Sequence, residues 1–291
     1  MVIVQLTAGL GNQLFQYAAA RSLALELGQK LIIDNSIYLK DNYRKPRLNF
    51  FNHHSYVTIH ANRYTSTCFK KLLFPLLPET KNIIEAEWFR MFPFPTEDLS
   101  KVKVIKLIGG WGSLRYFERY EKIIKNELYV KPRYTKRISA LMSDIRLTNS
   151  VAIHIRKGDY IQSIEAKEIF YELTADYYQR AIEYIASKIV NPIFYIFTND
   201  MNWVNKNFMT RPEYKYIYVS KDHNLKDYEE FELMRNCKNQ VIANSTFSWW
   251  AAYLNPNKNK IIIQPQVWYH HEAAQSSYEN GEVLGKLGLL I

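Results

Sequence analysis

The sequence predicts an α/β protein made of two similar halves, each a doubly wound unit around a mostly parallel sheet. Residues 2–34 show an apolar run, a glycine-containing turn, a helical stretch and a second apolar run, which together form a βαβ unit. From residue 150 onward, short β-branched runs again alternate with helical stretches. A chain of 291 residues is long enough for two ordinary domains, and we expect them to cover residues 1–148 and 149–291.

In the first half, the opening βαβ unit is the clearest feature. Its strands are expected at residues 2–6 and 31–34, with a tight turn at 7–11. Asn12 suits the N-cap of the intervening helix, and Gly28 is a natural end for it. Residues from about 40 to 145 hold most of the prolines and are harder to assign. The elements predicted there are a strand at 104–108, a turn at 109–112 and a helix at 120–128.

In the second half, the alternation of strands and helices is regular. The predicted strands are at residues 151–155, 193–198, 216–219, 240–243 and 260–263. The predicted helices are at residues 175–188, 203–208, 228–237 and 248–254. Such alternation is typical of a sheet with helices on both faces.

The composition favours an anionic partner and a reducing compartment. The formal charge is +10 and the pI is near 9.3, which suits a nucleotide, a nucleic acid or an acidic membrane surface. Cys68 and Cys237 form neither a disulfide framework nor a zinc site. No leader segment and no apolar run of roughly 20 residues is recognisable, so a cytoplasmic location is expected. The short apolar stretch at 69–77 is either a membrane-surface patch or a buried loop.

The stretch His154-Ile155-Arg156-Lys157-Gly158-Asp159-Tyr160 is the most informative motif. An apolar run leads directly into it, which indicates a buried strand whose carboxyl end carries charged groups. Ligands of open α/β sheets bind at that edge. The guanidinium of Arg156 suits a phosphate, because its planar fork matches the oxygens and it stays charged. The alternative is a strand that simply ends in a solvated charged loop.

A second motif, Asn244-Ser245-Thr246-Phe247-Ser248-Trp249-Trp250, follows the apolar run at 241–243. Backbone N–H groups and the dipole at a helix start there favour a phosphate, and Ser245 and Thr246 add hydroxyl groups. The two tryptophans are predicted to pack in the core. A capped helix start without a ligand is the alternative, but together with Arg156 in one cleft the segment makes a diphosphate site.

Other patterns are less specific. Gly9-Leu10-Gly11 lacks the third glycine of a dinucleotide fingerprint, and an ordinary turn explains it equally well. Glu230 begins a helix and either accepts hydrogen bonds from guanine or is an exposed acid favoured by the helix dipole. No two aspartates stand two apart, so a metal-binding Asp-x-Asp device is missing. The charge of a leaving diphosphate would have to be neutralised by Arg156, Lys157, hydroxyl groups and a helix end.

Taken together, three segments resemble the bacterial α-1,2-fucosyltransferases in order and spacing, over nearly the whole chain. The segment Gly9-Leu10-Gly11-Asn12-Gln13-Leu14-Phe15-Gln16-Tyr17 is similar to the N-terminal signature of that family. Residues 154–160 are similar to its His-x-Arg-Arg-x-Asp donor motif, and residues 244–250 resemble its C-terminal phosphate loop. Two positions depart from the family pattern. Lys157 replaces the second Arg, and Glu230 stands where the family usually has Asp.

The resemblance implies a fold of the GT-B type, with two facing Rossmann-like domains and the donor in the C-terminal one. It implies that Arg156 contacts the β-phosphate, with His154 beside the fucose and the diphosphate and Glu230 on the guanine. Asn12 would face the donor or the acceptor from the first domain. The remaining donor-binding positions are Lys157, Asn244, Ser245, Thr246 and Phe247.

The implied reaction moves L-fucose from GDP-β-L-fucose to the 2-hydroxyl of a β-galactoside with inversion and without a metal or another cofactor. Asp159 and His154 are the candidates for the base. The acceptor is expected to be an oligosaccharide of O-antigen or capsule type, either free or lipid-linked, met at the inner face of an anionic membrane. Alternatives are another linkage such as α-1,6, a non-catalytic sugar-nucleotide sensor, and a nucleic-acid-binding protein. The last is disfavoured, because the cations form no tract.

Overall fold

The computed structural model of the protein describes residues 1–41, 44–59, 80–84, 99–131, 134–157, 164–222 and 225–291. The chain divides into two compact units. The first unit comprises Met1–Lys131 and Glu282–Gly285, and the second comprises Pro132–Gly281 and Lys286–Ile291. The expected boundary at 148/149 falls inside the second unit, because the helix Lys136–Leu147 packs on elements of that unit. The apolar stretch at 69–77 and Cys68 lie outside the described residues.

The first unit is built around a parallel sheet in the order β3-β2-β1-β5-β4. Its strands are β1 (Val2–Gln5), β2 (Leu31–Asp34), β3 (Val57–Ile59), β4 (Thr80–Ile84) and β5 (Val104–Ile108), and its helices are α1 (Leu10–Glu26) and α2 (Glu121–Glu127). Short 3₁₀ turns lie at Ser36–Leu39, Leu48–Phe50, Leu114–Tyr116 and Glu118–Tyr120. The central strand β1 and the inner face of α1 are almost fully buried, which explains the apolar opening of the sequence.

The second unit is built around a parallel sheet in the order β11-β10-β9-β6-β7-β8. Its strands are β6 (Ser150–Ile155), β7 (Ile193–Thr198), β8 (Lys215–Tyr218), β9 (Asn239–Val241), β10 (Ile262–Gln264) and β11 (Leu289–Leu290). Its helices are α3 (Lys136–Leu147), α4 (Ile164–Ile169), α5 (Ala175–Lys188), α6 (Met201–Asn207), α7 (Val219–Asp222), α8 (Asp227–Asn236), α9 (Thr246–Tyr253) and α10 (Glu272–Glu279).

The position of β6 in this sheet decides where a ligand can bind. From β6 the chain first adds β7 and β8 on one side, and then returns to add β9 and β10 on the other side. The strand order therefore reverses between β6 and β9, and the loops that follow these two strands diverge. A crevice at the carboxyl ends of such a strand pair is the usual ligand site of an open α/β sheet.

The core of the second unit fixes the orientation of β6. All six residues of the strand are buried. Val151, Ile153 and Ile155 join one apolar cluster with Tyr178 and Ile182 of α5. Because successive side chains of a strand point to opposite faces, His154 and then Arg156 are directed away from that cluster.

Most of the predicted elements agree with the structure to within a few residues. The strand predicted at 216–219 is shifted by one residue, since β8 runs from Lys215 to Tyr218 and a helical turn begins at Val219. The strands β3, β4 and β11 and the helices α3, α4, α7 and α10 have no counterpart among the predicted elements. None of the helices in the described parts of the chain combines the length and apolarity needed to cross a membrane.

Candidate active site

The two donor motifs meet at the carboxyl edge of the second sheet. His154 lies on β6, and Phe247 lies in the first turn of α9, which follows β9. Their ring centroids are 5.7 Å apart, although the residues are far apart in the sequence. Phe247 also packs edge-on against Phe231 of α8, at 5.4 Å. The segments that follow β6 and β9 therefore share one crevice, as expected for the strand pair at which the sheet order reverses.

His154 is a buried, neutral imidazole. Burial, and after it the charge of Arg156, lowers the pKa of His154 from 6.5 to about 3. Its Nδ1 has no hydrogen-bond partner among the described residues. A ring with such a pKa stays uncharged at physiological pH and is a weak proton acceptor. This property counts against His154 as the base and suits a group that contacts a ligand in the crevice.

Arg156 and Glu230 belong to the same electrostatic environment. The charge of Arg156 acts on the pKa of His154 and also on that of Glu230, in the first turn of α8. Burial raises the pKa of Glu230, whereas a hydrogen bond from Ser220 and the charge of Arg156 oppose this rise. Glu230 is therefore a partly buried acid at the crevice, and the exposed helix-start acid considered above is excluded.

Ser220 holds the Glu230 carboxylate in place. Its hydroxyl donates to Oε1 of Glu230 and accepts a hydrogen bond of 2.8 Å from the backbone N–H of Thr198, at the end of β7. The carboxylate is thus connected to the sheet through one hydroxyl. Ser220 is not among the site residues predicted from the sequence. It directly follows the predicted strand β8, and a polar residue at the carboxyl end of a parallel strand was the available signal.

The segment that follows β9 contains one residue that stabilises the loop and two residues that begin helix α9. The amide of Asn244 is buried and donates to the carbonyls of Tyr171 and Trp268, at 2.6 and 3.2 Å. Ser245 is the N-cap of α9, and its side chain makes no capping hydrogen bond. A helix start leaves backbone N–H groups without intrahelical partners, so this end of α9 offers donors to an anion. Asn244 shapes the loop, while Ser245 and Thr246 begin the helix.

The tryptophans of this segment lie in the core, as predicted. Trp249 and Trp250 are fully buried. Trp249 stacks on Tyr253 at 5.1 Å, and Trp250 meets the same ring edge-on at 5.3 Å. These contacts fix α9 against the sheet, and so they fix the position of its N-terminal end.

The side chain of Lys157 does not point to the place expected for a residue that contacts the diphosphate. Its side chain is buried, and its Nζ lies 3.0 Å from Oε1 of Glu172. The same ammonium donates to the carbonyl of Leu173 and lies 4.3 Å from the ring centroid of Trp203. The alternation of side chains explains this: Lys157 follows Ile153 and Ile155 on the face that packs against the core. Its charge is committed to the segment at 172–173.

The polar residues of the N-terminal motif are mainly structural. Gln13 is buried, and its side chain donates to the carbonyls of Ala8 and Lys45 and accepts from the N–H of Arg47. Gln16 donates to the hydroxyl of Thr7, at 2.8 Å, and to the carbonyl of Gly109, at 2.9 Å. These amides tie the loop after β1 to neighbouring loops of the first unit.

Asn12 is not the N-cap of α1, as the sequence had suggested. Gly9 takes that position with an extended backbone, and the helix already begins at Leu10. Asn12 therefore lies inside the first helical turn, because the helix begins two residues before it. The contact of Asn12 with a donor or acceptor stays a prediction. Asp159 lies outside the described residues.

A cavity of about 250 Å³ opens beside Arg156 in the second unit. Arg156 and Lys157 line it together with residues from two segments for which no element was predicted, among them Phe170, Tyr171, Glu172 and His270. An antiparallel bridge between Phe170 and Tyr269 joins the two segments. Among the described residues, no group of three or more His, Cys, Asp and Glu side chains is arranged to hold a metal ion.

Comparison with known proteins identifies a protein family that the sequence matches. It matches the family described as glycosyl transferase family 11 over residues 1–282. The O-antigen biosynthesis glycosyltransferase WbnK of Escherichia coli is 31% identical, over 91% of this chain and 93% of the relative. An α-1,2-colitosyltransferase of Escherichia coli is 30% identical, over 95% of both chains. A galactoside α-(1,2)-fucosyltransferase 1 of Sus scrofa is 23% identical, over 84% of this chain and 62% of the relative.

Two solved structures are similar in fold. The fucosyltransferase NodZ from Bradyrhizobium superposes with a TM-score of 0.53 and 14% identity, over 88% of this chain and 92% of that chain. A mutant of Arabidopsis thaliana FUT1 in complex with GDP gives a TM-score of 0.50 and 13% identity, over 90% of this chain and 69% of that chain. At such identities the likeness shows the fold alone, and it confirms the predicted GT-B type.

Proposed function

The chain belongs to glycosyl transferase family 11, and we propose that it transfers L-fucose from GDP-β-L-fucose to the 2-hydroxyl of a β-galactoside. The observation that carries this proposal is the convergence of Arg156, Glu230 and the start of α9 on one crevice. A guanidinium and a helix start together suit a diphosphate, and a carboxylate suits the N–H groups of guanine. The relatives that act on galactosides or form α-1,2 linkages support the linkage.

In this mechanism the enzyme stabilises the charge that develops on GDP. As the bond between the sugar and the β-phosphate breaks, the anomeric carbon becomes oxocarbenium-like and the diphosphate gains negative charge. Arg156 and the N–H groups and hydroxyls at Ser245 and Thr246 bind that charge, and they do so without reorganisation because the core fixes both segments. Attack by the acceptor from the opposite face then inverts the anomeric centre.

The other residues of the crevice select the donor. Glu230, held by Ser220, accepts hydrogen bonds from the N1–H and amino group of guanine. Burial raises the pKa of Glu230, while the hydrogen bond from Ser220 and, more weakly, the charge of Arg156 act toward the ionised form that this role requires. His154 and Phe247 lie beside the sugar and the diphosphate. Lys157 is left out of the donor contacts, because its ammonium is bound to Glu172.

Purified protein tests this function directly. With GDP-fucose and a panel of β-galactosides, we expect release of GDP and a product whose NMR spectrum shows an α-1,2 linkage. We expect the same rate with EDTA, because protein groups alone are proposed to stabilise the leaving diphosphate. An α-1,6 product would refute the linkage, binding without turnover would favour a sensor, and nucleic-acid binding with a steep salt dependence but no GDP binding would refute the assignment.

A second donor is suggested by one comparison. The relative that matches 95% of this chain is an α-1,2-colitosyltransferase. Colitose is fucose without the 3-hydroxyl, so both sugars present the same methyl group and the same 2-hydroxyl. A direct competition between GDP-fucose and GDP-colitose decides between them. The ratio of kcat/KM for the two donors identifies the sugar that the crevice selects.

The acceptor is proposed to be an oligosaccharide of O-antigen type, since WbnK acts in O-antigen biosynthesis. The formal charge of +10 would bring the protein to an anionic membrane that carries a lipid-linked acceptor. Co-sedimentation with anionic liposomes at low salt, lost at high salt, is the expected result. Absence of binding, or binding that salt does not weaken, would contradict this part of the proposal.

A further inference from the structure

The cavity beside Arg156 has the size and lining of a site for one sugar ring. Its volume of about 250 Å³ lies below the range of roughly 300–1,000 Å³ typical of pockets for drug-sized ligands. Phe170, Tyr171 and His270 contribute ring surfaces, and Arg156, Lys157, Lys167 and Glu172 contribute charged groups. Ring surfaces together with charged groups that can hydrogen-bond to hydroxyls suit a hexose.

The wall of this cavity is fixed by hydrogen bonds. The N–H of Tyr171 donates to the carbonyl of Trp268, at 3.1 Å, and the N–H of His270 donates to that of Ile169, at 2.9 Å. The buried amide of Asn244 donates to both Tyr171 and Trp268, as described above. The segment that carries Glu172 is thereby tied to the loop that precedes α9. The cavity and the diphosphate site are thus parts of one framework.

Glu172 is held at this cavity by a buried cation. The ammonium of Lys157 binds Oε1 of Glu172 at 3.0 Å, while the carbonyl of Leu173 and the ring of Trp203 fix the ammonium itself. The Glu172 side chain nevertheless stays 62% exposed. Its contact with the ammonium of Lys157 is made through Oε1. The arrangement presents a positioned carboxylate oxygen to the cavity.

We propose that Glu172 is the general base of the transfer reaction and that Lys157 is its positioning residue. This inference rests on the proposed function. The acceptor sugar occupies the cavity, and the proton of its attacking hydroxyl passes to the carboxylate of Glu172. The acceptor oxygen forms a bond to the anomeric carbon, the bond from that carbon to the β-phosphate oxygen breaks, and GDP leaves with the electron pair.

The other acids and bases of the crevice are less suitable. His154 is buried and weakly basic, since its pKa is about 3. Glu230 is not among the residues that line the cavity. Glu172 is the one carboxylate that lines the cavity within the described part of the chain. The role of Lys157 also accounts for its place after Arg156: a single ammonium, turned toward the core, binds the carboxylate at one point.

The test compares Glu172→Gln with the control Glu168→Gln. Glu168 is an exposed residue of α4 that does not line the cavity, and the control makes the same change from carboxylate to carboxamide. Glu172→Gln should lower kcat for transfer by about 10²-fold or more, the usual range for loss of a general base. Calorimetric affinity for GDP-fucose should change less than twofold. Lys157→Met should lower kcat with the same affinity for GDP-fucose.

Azide separates a base from a merely structural residue. Azide has no proton to lose, so its attack on the anomeric carbon needs no base. It should restore GDP release by Glu172→Ala with formation of fucosyl azide, and it should not restore Arg156→Ala. Transfer by Glu172→Gln within threefold of wild type, or a failure of azide rescue, would overturn the assignment of Glu172 alone. A wild-type enzyme that transfers to no acceptor would overturn the proposed function, and Glu172 with it.

Discussion

Because the imidazole of His154 is buried in its uncharged form, the stability of the protein should depend on pH in a defined way. In the folded state the pKa of His154 is lowered from 6.5 to about 3, mainly by burial. Between these values the unfolded chain binds a proton that the folded protein does not. The free energy of unfolding must therefore fall as the pH falls through this window, by up to about 1.4 kcal/mol per pH unit for this one group.

At pH 5.0 this contribution is about 2 kcal/mol smaller than at pH 7.5, and the whole interval between the two pKa values corresponds to at most about 5 kcal/mol. The perturbation that isolates it is His154→Asn, which removes the titrating group. The variant should lose this part of the pH dependence, whatever its absolute stability. The matched control is His271→Gln, which replaces an exposed histidine of the same unit.

The assay is urea unfolding at several pH values from 5.0 to 7.5, followed by tryptophan fluorescence. Trp249, Trp250 and Trp268 are buried in the second unit, so this signal reports mainly on the unit that contains His154. The difference between wild type and His154→Asn should grow by about 2 kcal/mol across the range, and the control should follow wild type. Parallel curves for wild type and His154→Asn would refute the buried neutral imidazole.

Two further substitutions test the crevice and its framework. Arg156→Ala should lower kcat/KM by about 10²-fold or more, since loss of one donor to a developing anion costs roughly 3 kcal/mol, and Arg156→Lys should restore little because a point charge does not replace the fork. Arg180→Lys, an exposed ion-pair residue, is the control, and near-normal rates in the Arg156 variants would remove this residue from the mechanism. Asn244→Ala should destabilise the protein by about 1–3 kcal/mol in urea unfolding, because the carbonyl of Tyr171 loses the Asn244 donor and that of Trp268 keeps only the N–H of Tyr171. Asn259→Ala, at an exposed position, should stay within about 0.5 kcal/mol, and an equal effect of both would contradict the framework role.

The fold was predictable wherever the sequence pattern is strong. The buried run at 150–155 and the helix at 175–188 have clear periods, and both were placed correctly. Strand β3 has only three residues, which is too short to show a period. Helix α3 did carry a signal, since its buried residues Ile138, Met142 and Ile145 recur at helical spacing. That signal was overlooked, and the predicted boundary at 148/149 consequently lies beyond this helix.

The site was predictable as far as topology determines it. Arg156 and the start of α9 were expected at one edge, because the carboxyl ends of parallel strands lie together. The prediction that Lys157 contacts the diphosphate did not take account of the alternation of side chains along β6. This alternation places the Lys157 side chain on the opposite face from His154 and Arg156. The cavity beside Arg156 was not predictable, because an isolated bridge between Phe170 and Tyr269 leaves no periodic pattern in the sequence.

A crystal structure with bound GDP tests the central claim most directly. We expect the β-phosphate to lie between the guanidinium of Arg156 and the start of α9, with N⁺–H···O⁻ distances of about 2.7–2.9 Å. We also expect the guanine to face the carboxylate of Glu230, which Ser220 holds. GDP bound away from the carboxyl ends of β6 and β9, with Arg156 remote from both phosphates, would contradict it.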